Sequence, residues 1–136
     1  MLSFTDLAVT PAEASDYLGA AGVAVLLTDT DLMAGQRFIA SRFNSRWTVR
    51  FDADSVPDVV KYAIIEASVV EKRKPGSLSP TSTPATDKVL VAAKGLQWER
   101  VKGTGGTDSY IPRIAAVEGL LGPLTRSSNT TFLMRA

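Results

Sequence analysis

The 136-residue sequence contains no cysteine and no histidine. Their absence excludes disulfide bonds, the usual zinc sites, thiol nucleophiles, and every catalytic triad or dyad that uses imidazole as its base. An excess of charge is also missing, because 15 lysines and arginines oppose 14 aspartates and glutamates and leave a net charge of +1. Any contact with nucleic acid must therefore depend on local patches.

Long apolar runs are missing as well. The longest, residues 18–27, is much shorter than the roughly 20 residues that a membrane-spanning helix needs. The first residues lack the basic segment and the cleavage site of a signal peptide. We therefore expect a protein that is made in the cytoplasm and has no membrane contact. The apolar share of 45%, with only 7 prolines and 10 glycines, is typical of one folded domain.

Capping signals and apolar residues at helical spacing predict four helices. Residues 10–13, T-P-A-E, form a capping box with proline at the first helical position. A second helix is predicted over about 30–46, and a third from a cap at 55–58 to the stop at Pro75. The last helix is predicted between Ile111 and Leu124, with Pro112 near its first turn.

A loop and a β element are predicted between the third and fourth helices. Residues 75–87 are rich in serine, threonine, proline and glycine, and this composition predicts a loop. Residues 88–102 alternate between apolar and polar side chains, with a break near Lys94 and Gly95. Alternation with a central break predicts a hairpin or one bent ribbon.

These elements predict a mainly α fold, a small bundle of about four helices with an inserted β-hairpin or bent β-ribbon and extended terminal arms. We expect a single domain over residues 1–136. Within it, the helical core covers about 10–74, the loop 75–87 and the β element 88–102, and a C-terminal helix and arm cover 108–136.

Two pairs of carboxylates could hold a metal ion or act as acid and base: Asp29 with Asp31, and Asp52 with Asp54. Both pairs precede predicted helices, where aspartate is favoured by the unpaired amides, so we interpret them as helix caps. Residues 103–106, G-T-G-G, lack the spacing of a phosphate-binding loop and are interpreted as a connector. The sequence predicts no catalytic residue, no metal site and no cofactor, and we expect that the protein is not an enzyme.

The basic residues are unevenly distributed. Four arginines and no acid lie between Leu32 and Phe51, namely Arg37, Arg42, Arg46 and Arg50. Arg42 and Arg46 are four residues apart and are predicted to share a helix face. Such a face can contact phosphates or an acidic protein partner, or remain a solvated surface.

Aromatic and apolar residues indicate candidate interfaces. Trp98 has polar neighbours in a predicted strand, and aromatic residues are enriched at the centres of protein interfaces. The terminal apolar triplet Phe132, Leu133 and Met134 is predicted to fill a groove on another subunit or protein. By contrast, the aromatic residues near Arg42 are interpreted as core residues.

The order of these elements resembles that of the head-tail adaptor proteins of tailed bacteriophages, also called connector or head completion proteins. The resemblance covers roughly residues 10–125. Its most specific parts are the helix start V-P-x-x-V-K-x-A at residues 56–63 and the closing segment I-P-x-x-x-x-V-E-x-L-L-x-P-L at residues 111–124.

The resemblance implies a structural virion protein that forms a homo-oligomeric ring, usually a dodecamer, between the portal protein and the tail. It implies that Asp31–Arg46 and Pro57–Lys74 form the bundle core and that Lys88–Lys102 forms a ribbon between subunits. The segment Ile111–Ala136 would dock on the portal. The implied partners are the portal protein, a tail-terminator or other neck protein, and packaged double-stranded DNA in the channel.

Two alternatives stay open. Some relatives are labelled DnaT-like single-strand DNA-binding proteins, which suggests a DNA-binding accessory protein that contacts phosphates through its arginines. Tail-terminator and other neck proteins also form rings, commonly on a mainly β scaffold. Helix content distinguishes that class from the adaptors, since the adaptor interpretation requires at least four helices.

Overall fold

The computed structural model describes residues 1–79, 88–92, 97–100 and 111–126. The chain divides into two compact units, one of Met1–Leu78 and Arg113–Ala136 and the other of Ser79–Pro112. The prediction of a mainly α protein is confirmed. The described residues contain four helices, α1 Pro11–Ala20, α2 Asp29–Phe43, α3 Asp58–Arg73 and α4 Ala115–Leu121, and a short 3-10 helix, Gly122–Leu124, follows α4.

Helix α1 begins at the predicted capping box. The Thr10 hydroxyl accepts a hydrogen bond from the Glu13 N–H, and the Glu13 carboxylate accepts one from the Thr10 N–H at 2.8 Å. The chain leaves the helix at Gly22, whose φ of +70° is in the left-handed region that glycine adopts without strain. Residues 23–28 then run without regular structure, with Leu27 buried and Leu26 81% exposed.

Helix α2 begins at Asp29, close to its predicted start, but it ends earlier than predicted. Thr28 is its cap, in a second capping box with Asp31. The helix ends at Phe43, so the predicted end at residue 46 is wrong. The chain turns there because the Arg46 N–H bonds to the Phe43 carbonyl, and Trp47 then pairs with Thr125 in an isolated β-bridge.

Helix α3 is the centre of the helical unit and packs against each of the other three helices. The predicted helix is confirmed, but its predicted cap is wrong. The N-cap residue is Pro57, which makes no side-chain cap, while the Ser55 hydroxyl accepts from the Asp52 N–H in the preceding turn. The buried residues of α3 are Val60, Ala63, Ile64, Ile65, Ala67, Ser68 and Val69.

Helices α2 and α3 approach each other closely at Gly35. A Cβ atom at this position would lie 2.2 Å from the Ser68 Oγ and 2.7 Å from the Ile64 carbonyl oxygen. The Ser68 hydroxyl itself donates to the Ile64 carbonyl at 2.7 Å. The crossing therefore depends on a residue without a side chain.

Two amide side chains of α2 and its C-terminal turn hold the N-terminal segment. Gln36 is fully buried; its Oε1 accepts from the Ala8 N–H at 2.8 Å, and its Nε2 donates to the carbonyls of Ser3 and Asp6 at 2.7 Å each. Asn44 bonds to both the N–H and the carbonyl of Leu2 at 3.0 Å. These bonds satisfy backbone groups that lie in no helix or strand.

Helix α4 is shorter than predicted, since it covers Ala115–Leu121 only. Pro112 lies before the helix and not in its first turn. The N-cap residue, Ile114, has extended backbone angles, and the segment after Leu121 tightens into the 3-10 helix. Val117 and Leu121 are the buried residues of α4.

In the second unit, the strands β1 Lys88–Ala92 and β2 Gln97–Arg100 pair antiparallel. Lys88 lies opposite Arg100 and Leu90 opposite Trp98, and the register shifts between Leu90 and Ala92. The predicted role of this pair as an element inserted in the bundle stays a prediction. The predicted connector at 103–106 lies outside the described residues.

No helix in the described ranges combines the length and the apolar character needed to cross a bilayer.

Candidate functional site

Two of the four predicted arginines meet at one site, where a third arginine joins them. The Arg42 Nη2 and the Arg113 Nε each lie 3.3 Å from the same Glu118 oxygen, Oε1. Arg46 lines the same pocket. We call Arg42, Arg46, Arg113 and Glu118 the arginine cluster.

Local structure holds these side chains in place. Arg42 lies in the last turn of α2, and its guanidinium is 5.9 Å from the centre of the buried Phe43 ring. The Arg46 guanidinium is 5.2 Å from the same ring, and its Nε donates to the Arg126 carbonyl at 2.9 Å. That carbonyl belongs to the strand-like segment that pairs with residues 46–48.

The arginine cluster surrounds a pocket of about 230 Å³. Exposure differs within the cluster, because 17% of the Arg42 side chain is accessible to solvent and 75% of the Arg113 side chain. Three guanidinium groups and one carboxylate line this pocket, so positive charge is in excess there. Guanidinium groups bind carboxylates and phosphates through paired hydrogen bonds, and this surface is therefore suited to an anionic partner.

The other two predicted arginines lie elsewhere. Arg37 precedes Arg42 by five residues, which places it about 140° around the helix. Its Nε donates to the Phe4 carbonyl at 3.0 Å, beside the N-terminal segment. Arg50 is exposed in the chain after the β-bridge. The four arginines of 32–51 therefore do not form one surface.

Sequence reasoning did not identify Arg113 and Glu118 as members of this site. They lie on and just before α4, about 70 residues beyond Arg42 and Arg46, and no local pattern links the two segments. The one sequence feature that could have indicated this site was Glu118, an acidic residue among the apolar residues of the predicted last helix. The pairing depends on how α4 packs against α3.

The structure places the two carboxylate pairs in different local settings. Asp31 accepts from the N–H and hydroxyl of Thr28 and from Lys72 at 3.0 Å, which confirms the capping interpretation for this residue. Asp52 and Asp54 lie in an exposed turn. Within the described residues, no group of three or more acidic side chains is placed to hold a metal ion.

A second surface, between α1 and α3, carries the opposite charge. Tyr17 and Tyr62 stack with their ring centres 4.6 Å apart, and the Tyr17 hydroxyl donates to Glu66 at 3.0 Å. Burial raises the pKa of Tyr17, and the hydrogen bond to Glu66 raises it further. Around these rings lie further charged side chains. We call the following set the acidic tyrosine groove: Glu13, Asp16, Tyr17, Asp58, Lys61, Tyr62 and Glu66.

One ion pair in this groove links α1 to α3. Lys61 donates to Glu13 at 2.8 Å. This hydrogen bond, with the Thr10 N–H, lowers the pKa of Glu13 from its ordinary value of 4.5 to about 2. The same hydrogen bond raises the pKa of Lys61.

The pH dependence of stability tests this ion pair. The pKa of Glu13 is lower in the folded protein than in the unfolded chain. The ion pair therefore adds to the free energy of unfolding above pH 4.5, and this contribution is lost as the pH falls to about 2. Glu13→Gln keeps the capping acceptor and removes the charge. We expect it to lower the free energy of unfolding by at most about 1 kcal/mol at pH 7, since the pair is partly exposed.

Urea denaturation at pH 7 and at pH 2 measures this effect, and the difference between wild type and Glu13→Gln is expected to be smaller at pH 2 than at pH 7. Asp16→Asn is the control, because Asp16 is exposed on the same helix. An equal loss in both variants at both pH values would refute the assigned role of the ion pair.

The candidate interface residues lie outside the part of the chain whose side chains the structure describes. Trp98 lies in β2, but its side chain is outside the described part of the chain, as are Phe132, Leu133 and Met134.

No family model, no curated protein and no solved structure matches this chain.

Proposed function

We propose that this protein is a structural component of a phage-type virion, a head-tail adaptor that forms a ring between the portal and the tail. The ring extends the DNA channel and provides the surface to which the tail attaches. In this proposal the β element of 88–102 is a ribbon between subunits inserted in the helical bundle. The C-terminal segment, including Phe132, Leu133 and Met134, docks on the portal.

The arginine cluster is the observation that carries the proposal. Its guanidinium groups outnumber its carboxylates on a packed helical unit, and such a surface is suited to an anionic partner. The chain has neither cysteine nor histidine. A charged, preorganised surface of this kind supports a role in assembly.

The layout of elements is the second support. The resemblance implies a small helical bundle, and the described residues contain four helices around α3. A tail-terminator ring on a mainly β scaffold fits this helix content less well. Exposed Arg37 and Arg50 are the residues through which the ring would contact DNA without binding it tightly.

Mixing the purified protein with portal particles from its own source tests the proposal. We expect electron microscopy to show a new ring stacked coaxially on the portal. A variant that lacks residues 127–136 is expected to keep its far-ultraviolet circular dichroism spectrum and to leave the portal bare. A bare portal with the full-length chain, under several salt conditions, would refute the adaptor function.

The second candidate is a DNA-binding accessory protein, and the arginine cluster also favours it. A DNA binder loses affinity steeply as salt rises, because each phosphate contact releases counterions. An adaptor binds free DNA weakly or not at all. A fluorescence anisotropy titration of single- and double-stranded oligonucleotides at several salt concentrations therefore separates the two candidates.

A further inference from the structure

The helical unit presents two surfaces of opposite charge that share no residue. The arginine cluster carries three guanidinium groups and one carboxylate. The acidic tyrosine groove carries four carboxylates and one ammonium group. The whole chain has a net charge of only +1, so these surfaces are local concentrations within a nearly neutral molecule.

We propose that the acidic tyrosine groove of one copy binds the arginine cluster of the next copy, so that copies of this chain associate head to tail. This inference rests on the proposed function, because it identifies the subunit contact of the ring. A contact between two different surfaces of the same chain is heterologous, and it closes into a ring when the rotation between neighbours permits.

The chemistry of the groove fits guanidinium groups. The two tyrosine rings are nearly parallel, at 16°, and Tyr62 is 36% exposed at the surface. A guanidinium group packs on such a ring and bonds to neighbouring carboxylates at the same time. Asp16 and Asp58 are exposed at the groove and supply those carboxylates.

The chemistry of the cluster favours an acidic protein surface over DNA. Glu118 lies 3.3 Å from both Arg42 and Arg113 and neutralises part of their charge, which weakens the non-specific attraction of the cluster to a phosphate backbone. A neighbouring copy supplies a groove whose excess charge has the opposite sign.

Charge reversal on each surface tests the contact. Asp16→Arg reverses a charge in the groove, and Arg113→Glu reverses one in the cluster; both side chains are exposed, so the fold is expected to persist. The double variant carries an arginine in the groove and a glutamate in the cluster, so the two new charges attract each other between neighbouring copies. Arg50→Glu is the matched control, because it makes the same charge change at an exposed position outside both surfaces.

Sedimentation velocity of the full chain, at protein concentrations up to about 1 mM, measures association. We expect wild type and Arg50→Glu to form oligomers that dissociate as salt rises. Each single reversal is expected to lower the association constant at least about tenfold. The double variant is expected to associate more tightly than the sum of the two single losses predicts.

Three results would overturn the proposal: wild type that stays monomeric at the highest concentration, single reversals that associate as wild type does, or a double variant with purely additive losses. Loss of double-stranded DNA binding in Arg113→Glu with unchanged association would also overturn it and assign the cluster to phosphates.

The same variants separate this inference from the proposed function. Salt-sensitive association of wild type beside a portal that stays bare would refute the adaptor function and leave the contact in place. Normal rings on the portal from both single variants would refute the contact and leave the adaptor function in place.

Discussion

Gly35→Ala is expected to lower the free energy of unfolding by about 3 kcal/mol, because overpacked cores lose about 1–3 kcal/mol and this site leaves little room to relax. The new methyl group would lie 2.2 Å from the Ser68 Oγ, 2.7 Å from the Ile64 carbonyl oxygen and 2.9 Å from the Ser68 nitrogen. Two of these three atoms belong to the backbone of α3, so a change of rotamer cannot relieve the clash. Urea denaturation followed by circular dichroism measures the loss.

Gly119→Ala is the matched control for this prediction. Gly119 also lies within a helix, but a Cβ atom there would have no neighbour within 4 Å. We expect it to raise stability by about 0.5–1 kcal/mol through helix propensity alone. Adding Ser68→Ala to Gly35→Ala is expected to recover only part of the loss, since the Ile64 carbonyl remains. Similar stability of the Gly35 and Gly119 variants would contradict the close approach of α2 and α3.

Gln36→Leu is expected to lower the free energy of unfolding by about 3 kcal/mol. Each buried polar group left without a partner costs about 1–3 kcal/mol. The total stays below the sum of three such costs because the N-terminal segment would detach and expose these groups to water. Leucine has nearly the same size, but it offers no partner to the Ala8 N–H or to the carbonyls of Ser3 and Asp6. Separation of the segment would also expose Leu2 and Val9, which are each 1% accessible.

Hydrogen exchange shows which part of the protein is destabilised in Gln36→Leu. The Ala8 amide is expected to lose its protection in Gln36→Leu, while amides in the middle of α3 keep theirs under native conditions. Arg37→Ala is the control, since the adjacent Arg37 bonds to the same segment from an exposed position. We expect Arg37→Ala to lower the free energy of unfolding by about 0.5 kcal/mol or less. Unchanged protection of Ala8 in Gln36→Leu would contradict the assigned role of Gln36.

Local signals predicted the helices well where the structure itself depends on local contacts. The capping box at Thr10 and Glu13 places the start of α1 because both partners lie within one helical turn. The apolar stripe of α3 is equally readable, since a helix that is buried against three others repeats its apolar residues throughout.

The ends of α2 and α4 were harder to predict because distant contacts determine them. Phe43 ends α2 where the following residues turn to pair with Thr125, and that partner is more than 75 residues away. Helix propensity depends on neighbouring residues only, so it cannot predict a pairing with a distant residue. The predicted cap at Ser55 failed for a local reason, since its hydroxyl serves the Asp52 turn instead.

The candidate site was predicted in part. Arg42 and Arg46 were expected to share a helix face, which is wrong because α2 ends at Phe43, but the two residues line one pocket. Arg113 and Glu118 come from a segment that reaches the site only through the packing of α4 on α3. The acidic tyrosine groove likewise requires α1 and α3 to be side by side.

The position of α4 in the chain has a consequence for synthesis on the ribosome. Helices α1 to α3 are complete at Arg73, but α4 begins at Ala115, after the whole of the second unit. Until then, the α3 surface that α4 covers stays in contact with water, and Arg42 lacks Glu118. The nascent chain therefore carries an incomplete core, which is completed when residues 113–126 leave the exit tunnel.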